Sequence, residues 1–302
     1  MQAVRTRPTE AAVWMLSAML VIGVIDNFVG VIAGTIGLWQ FYVIRLVLAL
    51  PLIAVMAWAG MGTMRPANWG RVAARSLFVA VAMLFYFASL AVMPIGLALA
   101  GLFTSPIFVL VIGVVFMGHR IGPWRVLAVI CGFGGAMMVL GPDASNFSWV
   151  ILAPVAGGFF YALGALATRA WCAGESTVAL LLGVMGMQGV MGAAVLGLLA
   201  AFGVEEQAGA LAFVTRGWVW PIGEIHVLLL VQVVGSVAGV FGIIRAYQLS
   251  EASYVAVFEY AVMVFGPLFA WLWFGQGLGV AQMAGTVLIV LAGAIIAVRA
   301  RG

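Results

Sequence analysis

Long apolar runs, separated by short polar connections, make up most of the chain. Each run has about the 20 residues that an α-helix needs to cross the hydrocarbon core of a bilayer. The apolar residues are continuous, whereas they would alternate with polar ones in the strands of a β-barrel. The pattern predicts an all-α integral membrane protein with ten transmembrane helices. Their predicted bounds are 11–33, 36–59, 74–93, 95–117, 124–141, 149–168, 177–202, 225–249, 253–274 and 278–298.

Composition supports this prediction. Of the 302 residues, 66% are hydrophobic and only 7% are charged, and the mean hydropathy is +1.24. Soluble domains of ordinary composition are much more polar. The chain opens with a short polar leader, Met1 to Glu10, and the first apolar run is long enough to stay as a span, so we expect no cleaved signal peptide.

The distribution of arginine predicts how the chain sits in the membrane. The chain has no lysine. With the N-terminus in the cytoplasm, ten arginines of the loops and termini lie inside and only Arg216 lies outside, as the positive-inside rule requires. We therefore predict cytoplasmic N- and C-termini in a bacterial-type inner membrane. The net charge of +4 then reflects membrane sidedness and not a nucleic acid partner.

The two halves of the chain resemble each other weakly. A shift of 157 or 158 positions aligns Phe103 with Tyr260, Gly118 with Gly275, and the pair Gly135-Ala136 with Gly293-Ala294. Because each copy would hold an odd number of spans, the copies would face opposite ways. We predict two inverted five-helix repeats, 1–142 and 143–302, with a binding site near the midplane between them.

Two segments resemble a known family. The sequence "TSPIFVLVIGVVFMGHRIG" in the fourth predicted span and the following loop, and "GFGGAMMVLGP" in the fifth, are similar to the EamA-type transporters of the drug/metabolite transporter superfamily. Many members carry an acidic residue after the glycine that ends the fourth span. Here His119 stands at that position, and Gln276 stands at its equivalent in the second repeat.

The resemblance implies a carrier that moves small organic solutes across the bilayer by alternating access between the two halves, and not an enzyme. It also implies a central cavity lined by the first, third and fourth spans of each repeat. Export of amino acids is the leading expectation. Uptake of a cofactor or nucleoside-like metabolite is the alternative, and an intramembrane enzyme is a remote third. The oligomeric state is left open, a monomer included.

Four charged residues fall within predicted spans, where an unpaired charge is costly. Glu259 and Arg245 flank one hairpin apex at about the same depth, and Asp26 and Arg45 do so in the first hairpin. We predict two intramembrane ion pairs. Three roles stay open: they contact a zwitterionic solute, they only fix the packing of the hairpins, or Glu259 or Asp26 carries a proton.

Aromatic and hydroxyl side chains on the expected cavity spans are candidate substrate contacts, because they suit a solute with an apolar body and a polar end. Each could instead serve only in packing, and Thr104 and Ser105 could bond to carbonyls of their own helix. Together with Glu259 the candidates are Phe85, Tyr86, Ser89, Phe103, Thr104, Ser105, Tyr161, Tyr254 and Tyr260.

Four prolines in or beside these spans are candidate hinges: Pro94, Pro106, Pro154 and Pro267. A chain without lysine cannot carry a P-loop with its phosphate-binding lysine. The two histidines, His119 and His226, form no zinc-ligand pattern, so we expect no metal and no cofactor.

Overall fold

The computed structural model describes residues 6–90, 93, 95–118, 120–141, 152–275, 277 and 279–299, and these residues form helices and connections without a strand. A 3-10 segment, Ala256–Ala261, lies between two of the α-helices. The α-helices are α1 (Pro8–Asp26), α2 (Val29–Thr35), α3 (Leu38–Trp58), α4 (Trp69–Leu90), α5 (Ile95–Leu102), α6 (Ser105–Val115), α7 (Pro123–Leu140), α8 (Leu152–Trp171), α9 (Thr177–Ala201), α10 (Ala212–Thr215), α11 (His226–Leu249), α12 (Ala252–Val255), α13 (Val262–Phe274) and α14 (Val280–Arg299).

Nine helical segments of the described chain are long and apolar enough to cross a membrane, which confirms a multi-pass all-α membrane protein. They match nine of the ten predicted spans. The remaining one is the sixth, which corresponds to α8. This helix has 20 residues, but glycines, Pro154 and Arg169 make it less apolar than the others.

Three predicted spans are not single α-helices. The first ends as α1 at Asp26, and the short helix α2 follows. At this point the Asn27 side chain donates a 2.7 Å hydrogen bond to the Gly23 carbonyl. The fourth predicted span is divided into α5 and α6, and the ninth into α12, the 3-10 segment and α13. Hydropathy averaged over a whole span does not register such interruptions, because one or two polar residues change the average little.

Four helix pairs share the most extensive contacts: α1 with α11, α4 with α8, α3 with α9, and α7 with α14. If each of the first five predicted spans is exchanged for its equivalent among the last five, the pair of α1 with α11 becomes the pair of α8 with α4. The pair of α3 with α9 and the pair of α7 with α14 are each exchanged onto themselves. Glycine makes the α7–α14 contact close, since a Cβ atom at Gly285 would lie 2.5 Å from the Gly135 carbonyl oxygen. An inverted repeat would produce this pattern of pairs, and the repeat stays a prediction.

Loops at both ends of the bundle are hydrogen-bonded to distant parts of the chain. At one end the Glu175 carboxylate accepts from the backbone N–H groups of Ala67 and Asn68 at 2.7 and 2.8 Å. At the other end the Gln40 amide bonds both backbone groups of Val219, at 2.8 and 2.9 Å. These hydrogen bonds join the α3–α4 connection to the α8–α9 connection at one end, and α3 to the loop that precedes α11 at the other.

Candidate functional site

The fourth and ninth predicted spans are interrupted within their length. The first interruption is a turn at Phe103 and Thr104, between α5 and α6. Pro106 follows it and lacks the N–H that would continue the helical hydrogen bonds, while the Thr104 hydroxyl donates to the Gly101 carbonyl at 2.6 Å. The second interruption is the 3-10 segment Ala256–Ala261. Interrupted helices at the interface between repeats are where transporters commonly bind their solutes.

The two interruptions touch each other. The Tyr260 hydroxyl donates a hydrogen bond to the Phe103 carbonyl at 3.2 Å, and the centres of the two rings are 6.1 Å apart. Tyr260 is fully buried. It fits because α7 carries glycine opposite the ring: a Cβ atom at Gly132 would lie 2.4 Å from the Tyr260 ring.

Glu259, beside Tyr260, is held by hydroxyl groups. Its carboxylate accepts a 2.7 Å hydrogen bond from the Tyr247 hydroxyl, and the Tyr161 hydroxyl is a second side-chain partner. Only 4% of Glu259 is exposed. The predicted pair with Arg245 is wrong, since no ion pair of the described residues joins them. Tyr247 and Arg245 are two residues apart on α11, about 200° around the helix, so only one of them can face Glu259.

The predicted pair of Asp26 and Arg45 is also wrong, because the ion pairs of the described chain do not include it. The Arg45 guanidinium lies over the rings of Phe41 and Tyr42, at 5.4 and 5.3 Å from their centres. It also donates to the side-chain carbonyl of Gln188 on α9. With these partners the guanidinium makes no ion pair with the Asp26 carboxylate. The two charges still interact electrostatically over a longer distance.

The three candidates on α4 have different surroundings. The Phe85 ring stacks on Phe160 with the planes 10° apart and the centres separated by 5.8 Å. Tyr86 is half-buried and its ring packs against Phe87, with the centres 4.9 Å apart. The Ser89 hydroxyl donates to the Phe85 carbonyl at 2.7 Å. Ser89 therefore bonds to its own helix, whereas Thr104, in the turn, bonds to the preceding helix α5.

The remaining candidates are mostly packed. Ser105 is buried at the start of α6. Tyr254 is buried, and its ring meets Phe258 edge to face, with the centres 5.3 Å apart.

Three of the four candidate hinges lie in helices of the described chain. Pro106 begins α6, Pro154 lies in the first turn of α8, and Pro267 lies inside α13. Pro94 lies outside the described residues.

The sequence profile of the EamA-like transporter family matches residues 9–141, which include α1 to α7 and the first interruption. The matched segment covers the first five predicted spans. The chain is also similar to three proteins named riboflavin transporter. The one from Rhizobium johnstonii is 29% identical over 84% of this chain and 77% of its own length. The one from Vibrio cholerae is 26% identical over 97% and 95%, and the one from Brucella anthropi is 24% identical over 86% and 86%.

A crystal structure with 18% sequence identity superposes on this protein with a TM-score of 0.78, over 97% of this chain and 98% of that chain. At this identity the likeness concerns the fold alone. It supports the arrangement of helices described above over nearly the whole length.

In this protein the candidate residues form two polar groups instead of two ion pairs. One group surrounds Glu259, and the other surrounds Arg45. Sequence reasoning missed three members, Tyr42, Gln188 and Tyr247. Tyr247 lies at the same depth as Arg245, so the hairpin argument applied to it equally, and only the helix face separates the two. No signal pointed to Gln188, because the seventh span was not among the expected cavity spans.

Proposed function

We propose that this transporter of the EamA family takes up a flavin-type cofactor, riboflavin or a close analogue of it. The observation that carries the proposal is the similarity to three proteins named riboflavin transporter, which extends over 84% to 97% of this chain. The proposal prefers the second expectation from the sequence, uptake of a cofactor, over export of amino acids.

The geometry supports a path between the two halves of the bundle. The two interrupted segments meet at Phe103 and Tyr260, each from a different half. Non-helical backbone at membrane depth persists only where protein or a water-filled cavity surrounds it. We infer that the solute passes beside this contact by alternating access, in an inner membrane with both termini in the cytoplasm. Tyr86, Phe85 and Tyr161 offer ring surfaces for a planar solute along the same path.

Counterflow in proteoliposomes tests this function. Vesicles are loaded with unlabelled riboflavin or with a mixture of amino acids, and the entry of labelled riboflavin or labelled amino acids is followed. We expect labelled riboflavin to accumulate transiently above its equilibrium level in vesicles loaded with riboflavin, with saturable rates, and not to enter vesicles without protein. Exchange of amino acids without exchange of riboflavin would overturn the proposal and restore the leading expectation from the sequence.

The same vesicles with an imposed pH gradient test the role of Glu259. A carboxyl group held by the hydroxyls of Tyr247 and Tyr161 can exist with or without a proton, which leaves both coupling modes open. Accumulation of riboflavin driven by the gradient, lost in Glu259→Gln while counterflow persists, would assign proton coupling to this residue. Equal rates with and without the gradient would indicate facilitated diffusion.

A further inference from the structure

Five polar side chains from four helices interact around Arg45, on α3, through a hydrogen bond, a cation–π contact or charge. Arg45 hydrogen-bonds Gln188 and interacts electrostatically with Asp26, at the end of α1, and with Tyr42. Tyr86, near the end of α4, interacts with both Asp26 and Tyr42. We call Asp26, Tyr42, Arg45, Tyr86 and Gln188 the Arg45 cluster.

Most of the hydrogen-bonding groups of the Arg45 cluster have no protein partner. Tyr42 is 1% exposed, and its hydroxyl is buried without a hydrogen bond. Among the described residues, Asp26 and Tyr86 form no side-chain hydrogen bond, and Arg45 forms one, to Gln188. Buried polar groups nearly always have a partner in protein or water. The buried Tyr42 hydroxyl, and the Asp26 carboxylate exposed at the end of α1, therefore have unused capacity for a ligand.

The Arg45 cluster is rigidly built. Gly192 of α9 allows the close approach of α3, since a Cβ atom there would lie 2.6 Å from the Trp39 carbonyl oxygen. This approach places Gln188, one turn earlier on α9, beside Arg45. The Tyr42 ring is held in turn by the edge of Phe87, with the centres 5.7 Å apart and the planes at 81°. Aromatic packing therefore fixes the positions of the polar groups.

The hydrogen-bond donors and acceptors of the Arg45 cluster can be compared with those at one edge of a flavin ring. The pyrimidinedione edge of a flavin ring presents two carbonyl acceptors on either side of one N–H donor. Arg45 and Tyr42 supply donors, the Gln188 amide nitrogen supplies another, and Asp26 supplies an acceptor. A zwitterionic amino acid would engage the two charges but would leave the phenol hydroxyls and the amide unused.

We propose that the Arg45 cluster binds the pyrimidinedione edge of the transported flavin, with Asp26 accepting from the ring N–H and with Arg45, Tyr42 and Gln188 donating to the carbonyls. This inference rests on the proposed function and adds the residues that select the solute. A planar ring system held at this edge packs beside the aromatic side chains of Tyr86 and Phe87.

The test measures binding of riboflavin and of N3-methylriboflavin, whose ring N–H is replaced by a methyl group, from the quenching of flavin fluorescence by the purified full-length protein. We expect the wild type to bind riboflavin about tenfold or more tightly than the methylated analogue, because the methyl group removes one hydrogen bond to a charged partner. Asp26→Ala should weaken riboflavin binding and abolish this preference.

Tyr42→Phe separates binding from folding. Removing a buried hydroxyl that has no partner should leave the unfolding temperature unchanged or raise it, while riboflavin affinity falls by about three- to tenfold for the loss of one neutral hydrogen bond. A purely structural role would not lower affinity without lowering stability. Arg71→Ala and Glu205→Ala, at exposed positions, are the matched controls and should bind as the wild type does.

The outcomes distinguish this inference from the proposed function. If the wild type binds riboflavin but Tyr42→Phe and Asp26→Ala keep wild-type affinity and preference, the Arg45 cluster is not the flavin site and only this inference fails. If the wild type binds amino acids and not riboflavin, the proposed function and this inference fail together.

Discussion

The Tyr260 hydroxyl donates a 3.2 Å hydrogen bond to the backbone carbonyl of Phe103, and so joins the interruption of one spanning segment to that of another. An interrupted helix leaves carbonyl groups without their usual N–H partners, and within a bilayer these groups must be satisfied by protein. Phe103 and Tyr260 are also aligned with each other in the predicted repeat. Two equivalent positions that touch lie close to the axis relating the copies, which supports the proposed inversion.

Tyr260→Phe tests this contact. The variant keeps the ring in its place against Gly132 but leaves the Phe103 carbonyl without its donor. We expect the free energy of unfolding to fall by about 1 to 2 kcal/mol, measured by denaturant titration in detergent. Trp273→Phe, at a side chain that is 74% exposed on α13, is the control and should unfold as the wild type does. Equal stability of Tyr260→Phe and the wild type would show that this hydrogen bond does not stabilise the fold.

A double-mutant cycle tests the partner of Glu259. Because the Tyr247 hydroxyl donates directly to its carboxylate, the stability losses of Tyr247→Phe and Glu259→Gln should be non-additive, with a coupling energy of about 0.5 to 3 kcal/mol. The matched cycle of Arg245→Ala with Glu259→Gln should be additive, because no direct contact joins those residues. Coupling in the second cycle and not in the first would contradict the structure and restore the ion pair predicted from the sequence.

Gly285→Ala should loosen the contact between α7 and α14. A Cβ atom there would lie 2.5 Å from the Gly135 carbonyl oxygen, which is backbone and cannot move aside cheaply. We expect a loss of about 1 to 3 kcal/mol in unfolding free energy, as for other overpacked sites. Gly134→Ala is the control from the same interface, since the nearest atom to its Cβ would be 3.7 Å away. Equal effects of the two changes would contradict a close approach of α7 and α14 at Gly285.

Most of the fold follows from hydropathy alone, because the bilayer demands long apolar helices. Hydropathy and length identify the spans, and nine of the ten predicted spans coincide with helical segments long and apolar enough to cross. The interruptions at Phe103 and within Ala256–Ala261 do not follow, since they depend on contacts made after the helices assemble. Pro106 marks one of them in the sequence, but no residue type marks the other.

The sequence predicts how deep in the membrane the candidate residues lie, but not which way their side chains face. Equal distances from a hairpin apex place Arg245 and Tyr247 at nearly the same depth as Glu259, yet the 200° between them around α11 decides which one bonds. For Arg45 the deciding contact comes from Gln188, 143 positions away. That contact depends on the close approach of α3 and α9 at Gly192, which sequence spacing on a single helix does not reveal.

Thiol labelling tests the packing where α8 ends. Cys172 follows Trp171, has no exposed surface, and its backbone carbonyl accepts a 2.8 Å hydrogen bond from the Gln248 side chain. Burial raises the pKa of its thiol from 9.0 to about 11. The thiolate is the reactive form, so the folded protein should resist N-ethylmaleimide at pH 8 and react fully once denaturant unfolds it. Because the pKa is raised in the folded state, the thiol favours folding below about pH 9 and loses this contribution as the pH rises towards 11. Cys131→Ser isolates the signal of Cys172, and rapid labelling of that variant without denaturant would contradict the packing at this end of α8.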